Sequence, residues 1–513
     1  MNTLIVNLSL RSIRVIIFND KGEKLHEDWL PVGTSISEEF VEQDPNEWWK
    51  LLQELLKNTL AMKQFTSSIR YISVTSSASC LVVLDNQGKV LRKSIMVSDK
   101  RAEKESEELK EKFSQVLSKA DYGKFEPSFM LPKILWIKNN EPEIFKKAQM
   151  YISSNDYLIY KLTGSFITDD LNAEKFYFNP KSKTYPKEIL RYIGISEENL
   201  AKVTDPGTAL TQVKEDIKKE LKLSGSVEVA VSTYDAICSL IGSSTYKEGE
   251  LNNVCGTCSS YRFFTKDNQL SKKHNLILQS LSGEEINIIG GSNNLEGGLL
   301  EWAKECFYGD SYLKDDNFLY GLMQQEATES ELGANGILFL PYLLGERMPF
   351  VDNDVRGIFF GIERFHTRKD IVRSIFEAIS FQAKLMLEEF EKSGYEISAI
   401  NISGGVAKIP LATQIRADVL GLPINVLSEI ETTALGAFIL TLKARGKIKS
   451  IREASGVIHI EKTYVPNMHN HNCYASLFIL YKQLYNDHKE IFKKRKDILT
   501  GILHYRKKVV ENL

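Results

Sequence analysis

Cysteine is scarce: Cys80, Cys238, Cys255, Cys258, Cys306 and Cys473 are the six in 513 residues. That is too few and too scattered for a disulfide scaffold, and it agrees with a reducing compartment. No continuous apolar run approaches the ~18 residues of a membrane span. The apolar start of the chain is interrupted by Asn7, Ser9, Arg11 and Arg14, which the core of a signal peptide does not tolerate. The expected location is therefore cytoplasmic, without a membrane partner. Neither sign of charge is in excess: Lys+Arg 65 against Asp+Glu 67 gives a formal net charge of -2, so no global basic field recruits nucleic acid. The basic run Lys493-Lys494-Arg495-Lys496 reads as the solvated face of a helix rather than a localisation patch.

What is present is ordinary globular composition, 43% hydrophobic, 26% charged and 10% aromatic. The length exceeds what a single core supports, since domains stop growing near ~250–300 residues, so two large domains, or two plus a small appendage, are expected. Leu4 to Phe18 alternates apolar and polar residues around a polar middle, and Asp20-Lys21-Gly22 supplies a further turn. Asp44-Pro45-Asn46-Glu47-Trp48-Trp49 opens a helix, with a capping Asp, Pro at the first helical position and acid in the first turn. Tyr71–Val74, Leu81–Leu84 and Glu228–Val231 read as strands, which makes the first half α/β. Leu251 to Phe264, LNNVCGTCSSYRFF, repeats the plan of the first hairpin. Two structurally related halves, facing each other across a cleft, are expected. Helices are expected over Leu299–Phe307 and Arg368–Glu391 and from Tyr474 onward, with a strand-loop-helix over Ile400–Leu420.

Cys255-Gly256-Thr257-Cys258 has the C-x-x-C spacing of a redox or zinc motif. Zinc needs a second ligand pair and the other cysteines are isolated, while a reactive dithiol sits at a helix start and this one lies between strands. The preferred reading is a Gly-Thr turn facing an anion, with Thr257 and Ser259 as extra donors. Ser403-Gly404-Gly405-Val406-Ala407-Lys408 joins a strand to a helix, where a glycine pair makes room for a flat ligand or a phosphate. The small residues of Thr433-Ala434-Leu435-Gly436-Ala437 permit close helix approach. His469-Asn470-His471 falls in a polar loop before the last helix and is read as exposed rather than as a metal site.

Taken in order, FVEQDPNEWW, VSDKRA, MLPKILWIKNNEPEIF, SSNDYLIYKLTG, YDAICSLIG, CGTCSS, LPYLLGERMPF, VRGIFFGI, ISGGVAKIPLATQIRADVLGLPINV and TALGAF resemble the FGGY family of carbohydrate kinases. That family falls within the actin and hexokinase type of ATPase, and the resemblance spans roughly residue 5 to about 440. It implies an α/β fold of two actin-like (ribonuclease H-like) domains with an interdomain cleft, here 1–245 and 246–513. The implied activity is transfer of the γ-phosphate of ATP to a hydroxyl of a small ketose or polyol, with Mg²⁺ required. A small-molecule sugar or polyol is the expected partner, and a homodimer is compatible with it.

The resemblance implies residue roles as well. Asp235 matches the catalytic base, for which capping of its own helix is the alternative role. Gly256, Thr257 and Ser259 match the γ-phosphate loop, and Gly404, Gly405 and Lys408 border the adenosine. Domain closure would exclude water. Asp99 and Arg101 match an acid and a base that line the sugar pocket, with a surface salt bridge as the alternative. Tyr234 stands beside the base, and Ser77-Ala78-Ser79 replaces the Gln-Met-His triplet of xylulokinases, while Val97 replaces a Trp.

In relatives the first hairpin reads Asp-x-Gly-Thr-x-Ser-x-Arg, and the aligned residues here are Asn7, Ser9, Leu10, Ser12 and Arg14. Asn7 replaces the carboxylate that, with Asp235, organises the metal and its waters. Ser9 costs about 1 kcal/mol if its position needs φ > 0, and Leu10 removes a hydroxyl. The Asn7-Leu8-Ser9-Leu10 departure raises an alternative, a catalytically weakened relative acting as a sugar or nucleotide sensor, and a third, a structural partner that keeps only the fold.

Overall fold

A computed structural model describes residues 1–37, 40–66, 68–120, 126–244, 246–267, 276–284, 286–309, 316–429 and 431–511. The chain divides into two compact units: Met1–Gly242 with Ser280–Ile286 and Glu431–Val457, and Ser243–Gln279 with Asn287–Ile430 and Ile458–Leu513. The cut near residue 245 expected from the sequence therefore has two exceptions, because segments 280–286 and 431–457 pack with the first unit.

In the first unit a six-stranded sheet runs in the order Leu210–Gln212, Glu228–Val231, Ile69–Ser76, Asn2–Leu8, Ser12–Asn19, Lys24–Pro31. Glu228–Val231, Ile69–Ser76 and Asn2–Leu8 are parallel, and the remaining pairings are antiparallel. Parallel strands need both faces covered, which explains the nearly continuous burial of Leu4, Ile5, Val6, Ile72 and Val74. One cover is the helix Pro45–Ala61. The Asp44 side chain accepts the Asn46 N–H at its start, and Trp48, Leu52, Leu55 and Leu56 bury one face. A five-stranded sheet, Ser35–Ser37, Phe40–Gln43, Ser94–Ile95, Leu81–Leu84 and Met150–Ser153, carries a second core.

The second unit repeats the plan. Its sheet runs Ile277–Leu281, Ile286–Ser292, Ser259–Thr265, Glu250–Cys255, Ala399–Gly404, Ile424–Leu427, Ile460–Tyr464. The pairs among 250–255, 399–404 and 424–427 are parallel, as in the first sheet, and the hairpin 250–265 takes the place of 2–19. Around this sheet lie the helices Gly297–Tyr308, Arg368–Lys392, Pro410–Leu420 and Met468–Glu511. The last helix starts earlier than expected. His469 and His471 sit in its first turn rather than in a loop, and His471 Nδ1 lies 2.9 Å from the Asp418 carbonyl oxygen.

The helix Thr432–Ala444 explains why its segment belongs with the first unit. It is apolar on nearly every side, with Ala434 to Leu440 all buried, so a single sheet face cannot satisfy it. Phe438 packs on Phe18 with ring centroids 5.3 Å apart, Lys443 Nζ reaches Glu284 at 2.6 Å, and Arg445 reaches Asp20 at 2.8 Å. Its Gly436 meets the helix Asp235–Ser243 so closely that a Cβ would stand 1.8 Å from the Cys238 carbonyl oxygen. A Gly436→Ala variant must push those helices apart, at a cost of about 1–3 kcal/mol. The expected result is a lowered thermal midpoint, with the shift reported by probes in the first unit.

Candidate functional site

In an open sheet with parallel strands, ligands gather beyond the carboxyl ends of those strands. The register Asn7↔Thr75 and Val231↔Val74 brings three such ends level in the first unit. Asn7 and Leu8 close the first strand, Ser76 and Ser77 the second, and Thr233 to Asp235 follow the third. The Ser77 amide donates to the Leu8 carbonyl at 3.1 Å, the Thr75 hydroxyl to the Thr233 carbonyl at 2.8 Å, and the Ser77 hydroxyl to Asp235 Oδ2 at 3.0 Å. Asp235 Oδ1 accepts the Ala236 amide at 2.7 Å. The carboxylate is thus oriented from both sides at the start of its helix while staying half-buried. Tyr234 is buried, with Lys175 Nζ 5.1 Å from its ring centre.

The turn between the first two strands is well made despite its substitutions. Ser9 is absent from the residues with positive φ, so the strain that a serine would suffer in place of glycine does not arise. Its amide donates to the Ser12 carbonyl at 2.9 Å, and its hydroxyl accepts the Ser12 amide at 3.2 Å. Leu10 is exposed, and its carbonyl accepts Gln43 Nε2 at 2.8 Å; Gln43 in turn accepts the Trp48 indole N–H at 2.9 Å. Arg14 is committed to Glu431 at 2.6 Å and Glu27 at 3.5 Å. The Asn7 side chain is buried and, among the described residues, its Oδ1 accepts no hydrogen bond. A buried acceptor left open at the carboxyl end of the strand Asn2–Leu8 suits the water shell of a hard cation, since Mg²⁺ keeps most of its waters and takes few carboxylates. Among the described residues there is no cluster of three or more His, Cys, Asp or Glu side chains that could cage a metal outright.

Asp99 and Arg101 do not form a surface salt bridge. Both are buried and bond in a two-pronged fashion, Nε to Oδ1 at 2.8 Å and Nη2 to Oδ2 at 2.7 Å. Asp99 Oδ2 also accepts the Val41 amide at 2.6 Å, and Arg101 reaches Glu42 at 2.8 Å while lying 4.2 Å from the Phe40 ring centre. Burial pulls the Arg101 pKa down, yet Asp99 and Glu42 outweigh that and raise it.

In the second unit a cavity of about 530 Å³ is lined by Gly256, Thr257, Gly297, Glu301, Tyr320, Gln324, Gly405, Lys408 and Ile409, among others. The structure thus joins the 255–258 turn to the 404–408 loop. Gly404 takes φ 90° and packs so tightly that a Cβ would lie 2.4 Å from the Cys255 carbonyl oxygen, which only glycine allows. The carbonyls of Gly256 and Thr257 accept N–H groups from the start of the helix Gly297–Tyr308, at 2.9 Å from Gly297 and 2.8 Å from Glu296. The turn and that helix start are therefore one structure. Ser259 stands apart from the cavity: it is buried and its hydroxyl accepts Asn253 Nδ2 at 2.6 Å. Cys255 and Cys258 are free thiols, and burial pushes the Cys255 pKa up to about 12, which keeps it an unreactive thiol.

Beneath this turn lies a buried ion pair that sequence reading missed. Arg416 Nη2 bonds Glu296 Oε1, Arg416 Nη1 bonds Asn253 Oδ1 and Cys255 Sγ, and the Tyr261 hydroxyl donates to Glu296 Oε2 at 2.9 Å. Burial pulls the Arg416 pKa down and the Glu296 pKa up, but their mutual attraction wins in both cases, so the pair stays charged. The available signal was a charged residue inside the apolar stretch Pro410–Leu420.

Residues 4–242 match the model of the FGGY family of carbohydrate kinases, N-terminal domain, and residues 251–445 match that of its C-terminal domain. A xylulose kinase of Staphylococcus epidermidis is 28% identical over 464 residues, covering 90% of this chain and 91% of that protein. A gluconokinase of Bacillus licheniformis is 26% identical over 489 residues, covering 93% and 94%. Among solved structures, the ligand-bound xylulose kinase from Lactobacillus acidophilus is similar with a TM-score of 0.85 at 24% identity, covering 96% of this chain and 99% of that one.

Removing one member of a buried pair leaves the other charge uncompensated. Arg416→Met is expected to destabilise the second unit by about 3–5 kcal/mol. Adding Glu296→Gln to it should return much of that loss, as read from denaturant midpoints of the single and double variants.

Proposed function

The chain belongs to the FGGY family of carbohydrate kinases, and from that membership we propose that Asp235 is the general base in transfer of the ATP γ-phosphate to a hydroxyl of a small sugar or polyol. The observation that carries this reading is the Asp235 carboxylate, oriented by the Ser77 hydroxyl and the Ala236 amide at the carboxyl ends of parallel strands. A carboxylate suits the task because the acceptor hydroxyl must shed its proton as its oxygen attacks the γ-phosphorus and the bond to ADP breaks. Asp235 takes that proton, and Ser77 keeps the accepting oxygen in place. The Gly256–Thr257 turn is the phosphate-side element, Gly404, Gly405 and Lys408 flank the nucleoside, and Gln324 and Glu301 supply polar groups in the same cavity. Asn7 and Asp235 would hold the waters of Mg²⁺, which supplies neutralisation of phosphate charge when bound with ATP.

The acceptor is a ketose or polyol of small size. The xylulose kinase and the gluconokinase that resemble this chain carry different substrate names, and Ser77-Ala78-Ser79 offers less bulk than the Gln-Met-His triplet of xylulokinases. A second reading draws on Asn7, a neutral amide in place of a carboxylate: a protein that binds sugar or nucleotide and turns over slowly or not at all.

ATP consumption with Mg²⁺, measured over ketoses, polyols, aldonates and deoxysugars, separates the two readings. The kinase reading expects turnover with at least one acceptor, reduced about a hundredfold to ten-thousandfold in Asp235→Asn, with nucleotide affinity from calorimetry unchanged. Full activity in that variant would remove Asp235 from the role of base. Asn7→Asp is expected to raise kcat by roughly tenfold and to lower the Mg²⁺ concentration at half-maximal rate, the gain equivalent to about 1.4 kcal/mol of transition-state stabilisation. No change in either quantity would mean that residue 7 takes no part in holding the metal's waters.

A further inference from the structure

Lys133, on the helix Met130–Asn140, is 0% exposed. Among the described residues it makes no ion pair; its Nζ donates instead to two carbonyls, Ser79 at 2.6 Å and Met96 at 2.9 Å. Burial lowers its pKa to about 8, with Cys80 and Asp99 acting to raise it and Arg101 to lower it further. A buried ammonium is costly, and a similarly sized apolar side chain would fill the same space without that cost. What the ammonium provides is a tie between two loops remote in sequence.

Those loops are the ones on which the acceptor reading rests. The first, Ser77 to Cys80, turns through Ser79 at φ 60° and carries the Ser77 hydroxyl that holds Asp235. It is supported as well by the Ser77 amide on the Leu8 carbonyl and by Ser154, whose hydroxyl donates to the Ser77 carbonyl at 3.2 Å and whose amide donates to the Cys80 carbonyl at 3.1 Å. The second loop runs from Met96 through Val97 to Asp99, whose amide donates back to the Met96 carbonyl at 3.2 Å. Ser77-Ala78-Ser79, which stands where xylulokinases have Gln-Met-His, and Val97, which replaces a Trp, lie in these same two loops.

We propose that Lys133 is a positioning residue for the acceptor site: its ammonium fixes the Ser77–Cys80 turn against the Met96–Asp99 turn, and through them sets the fit of the sugar or polyol and the placing of Ser77 on Asp235. The proposal rests on the kinase reading for its functional half only. The tie between the loops stands on the geometry alone.

The test uses the full chain with Lys133→Met, and Lys133→Gln as a milder variant that keeps an uncharged donor. Hydrogen exchange followed by mass spectrometry is expected to show amides of residues 77–80 and 96–99 exchanging about tenfold faster in Lys133→Met, with Glu228–Val231 and Arg368–Lys392 unchanged. With an acceptor that the wild type phosphorylates, the acceptor KM should rise about tenfold while the KM for ATP stays within about twofold, a split that general loss of stability does not produce. Lys133→Gln should fall between the two, and it decides by the same readouts if Lys133→Met does not fold. Unchanged loop exchange, or faster exchange throughout the chain, would overturn the proposal. So would faster loop exchange with an unaltered acceptor KM. If loop exchange rises but the wild type phosphorylates no acceptor, the tie is upheld and the kinase reading alone fails.

Discussion

Hydrogen-bond register among three parallel strands governs the first unit. A strand's side chains alternate with a period of two, so a slip of one residue in Asn2–Leu8 against Ile69–Ser76 would turn Asn7 away from its present face and carry Leu4, Val6 and Leu8 to the other covered face, out of the core they now fill. The core resists that slip, and the candidate site inherits the precision. Ser77 and Asp235, separated by 158 positions in the chain, meet at 3.0 Å because both follow strands whose apolar residues lock the pairing.

The second unit solves a related problem by different means. The turn proposed to face phosphate is exposed at Gly256 and Thr257, and exposed backbone at a glycine is held weakly. Support comes from below, through the Arg416–Glu296 pair with Asn253, and from beside, through the helix start that donates to the turn's carbonyls. The pair costs desolvation and returns geometry. Lys133 in the first unit follows the same logic with two carbonyls as partners. In both units a buried cation, invisible at the surface, ties together segments remote in sequence: Lys133 the carbonyls of Ser79 and Met96, Arg416 the side chains of Asn253, Cys255 and Glu296.

Local signals were legible in the sequence and distant ones were not. The Asp44-Pro45 helix start, both hairpins and the strand-loop-helix at 400–420 are specified by capping chemistry, alternation and glycine placement within a few residues, so reading them needs no tertiary context. The motifs also carried the family. Arg416 is marked in the sequence only as a charge within Pro410–Leu420, and Lys133 and Glu296 by less, because a charged residue looks like a solvated position until its partners are known. The helix Thr432–Ala444 was assigned to the second half by its place in the chain, yet its all-round apolar surface and its contacts with Phe18 and Cys238 put it in the first unit. Ser9 shows the reverse case: an apparent defect against the family pattern becomes a hydroxyl that closes its own turn.

The proposed role of Asp235 requires a phosphoryl-transfer site that functions with the neutral amide of Asn7 where the family pattern has a carboxylate. Phosphorus NMR of the protein with ATP, Mg²⁺ and a panel acceptor reports the fate of the γ-phosphate itself. The account predicts that its resonance is replaced by that of a sugar or polyol phosphate monoester, with ADP formed in equal amount. Persistence of ATP, or release of inorganic phosphate alone, while calorimetry shows both ligands bound, would contradict it.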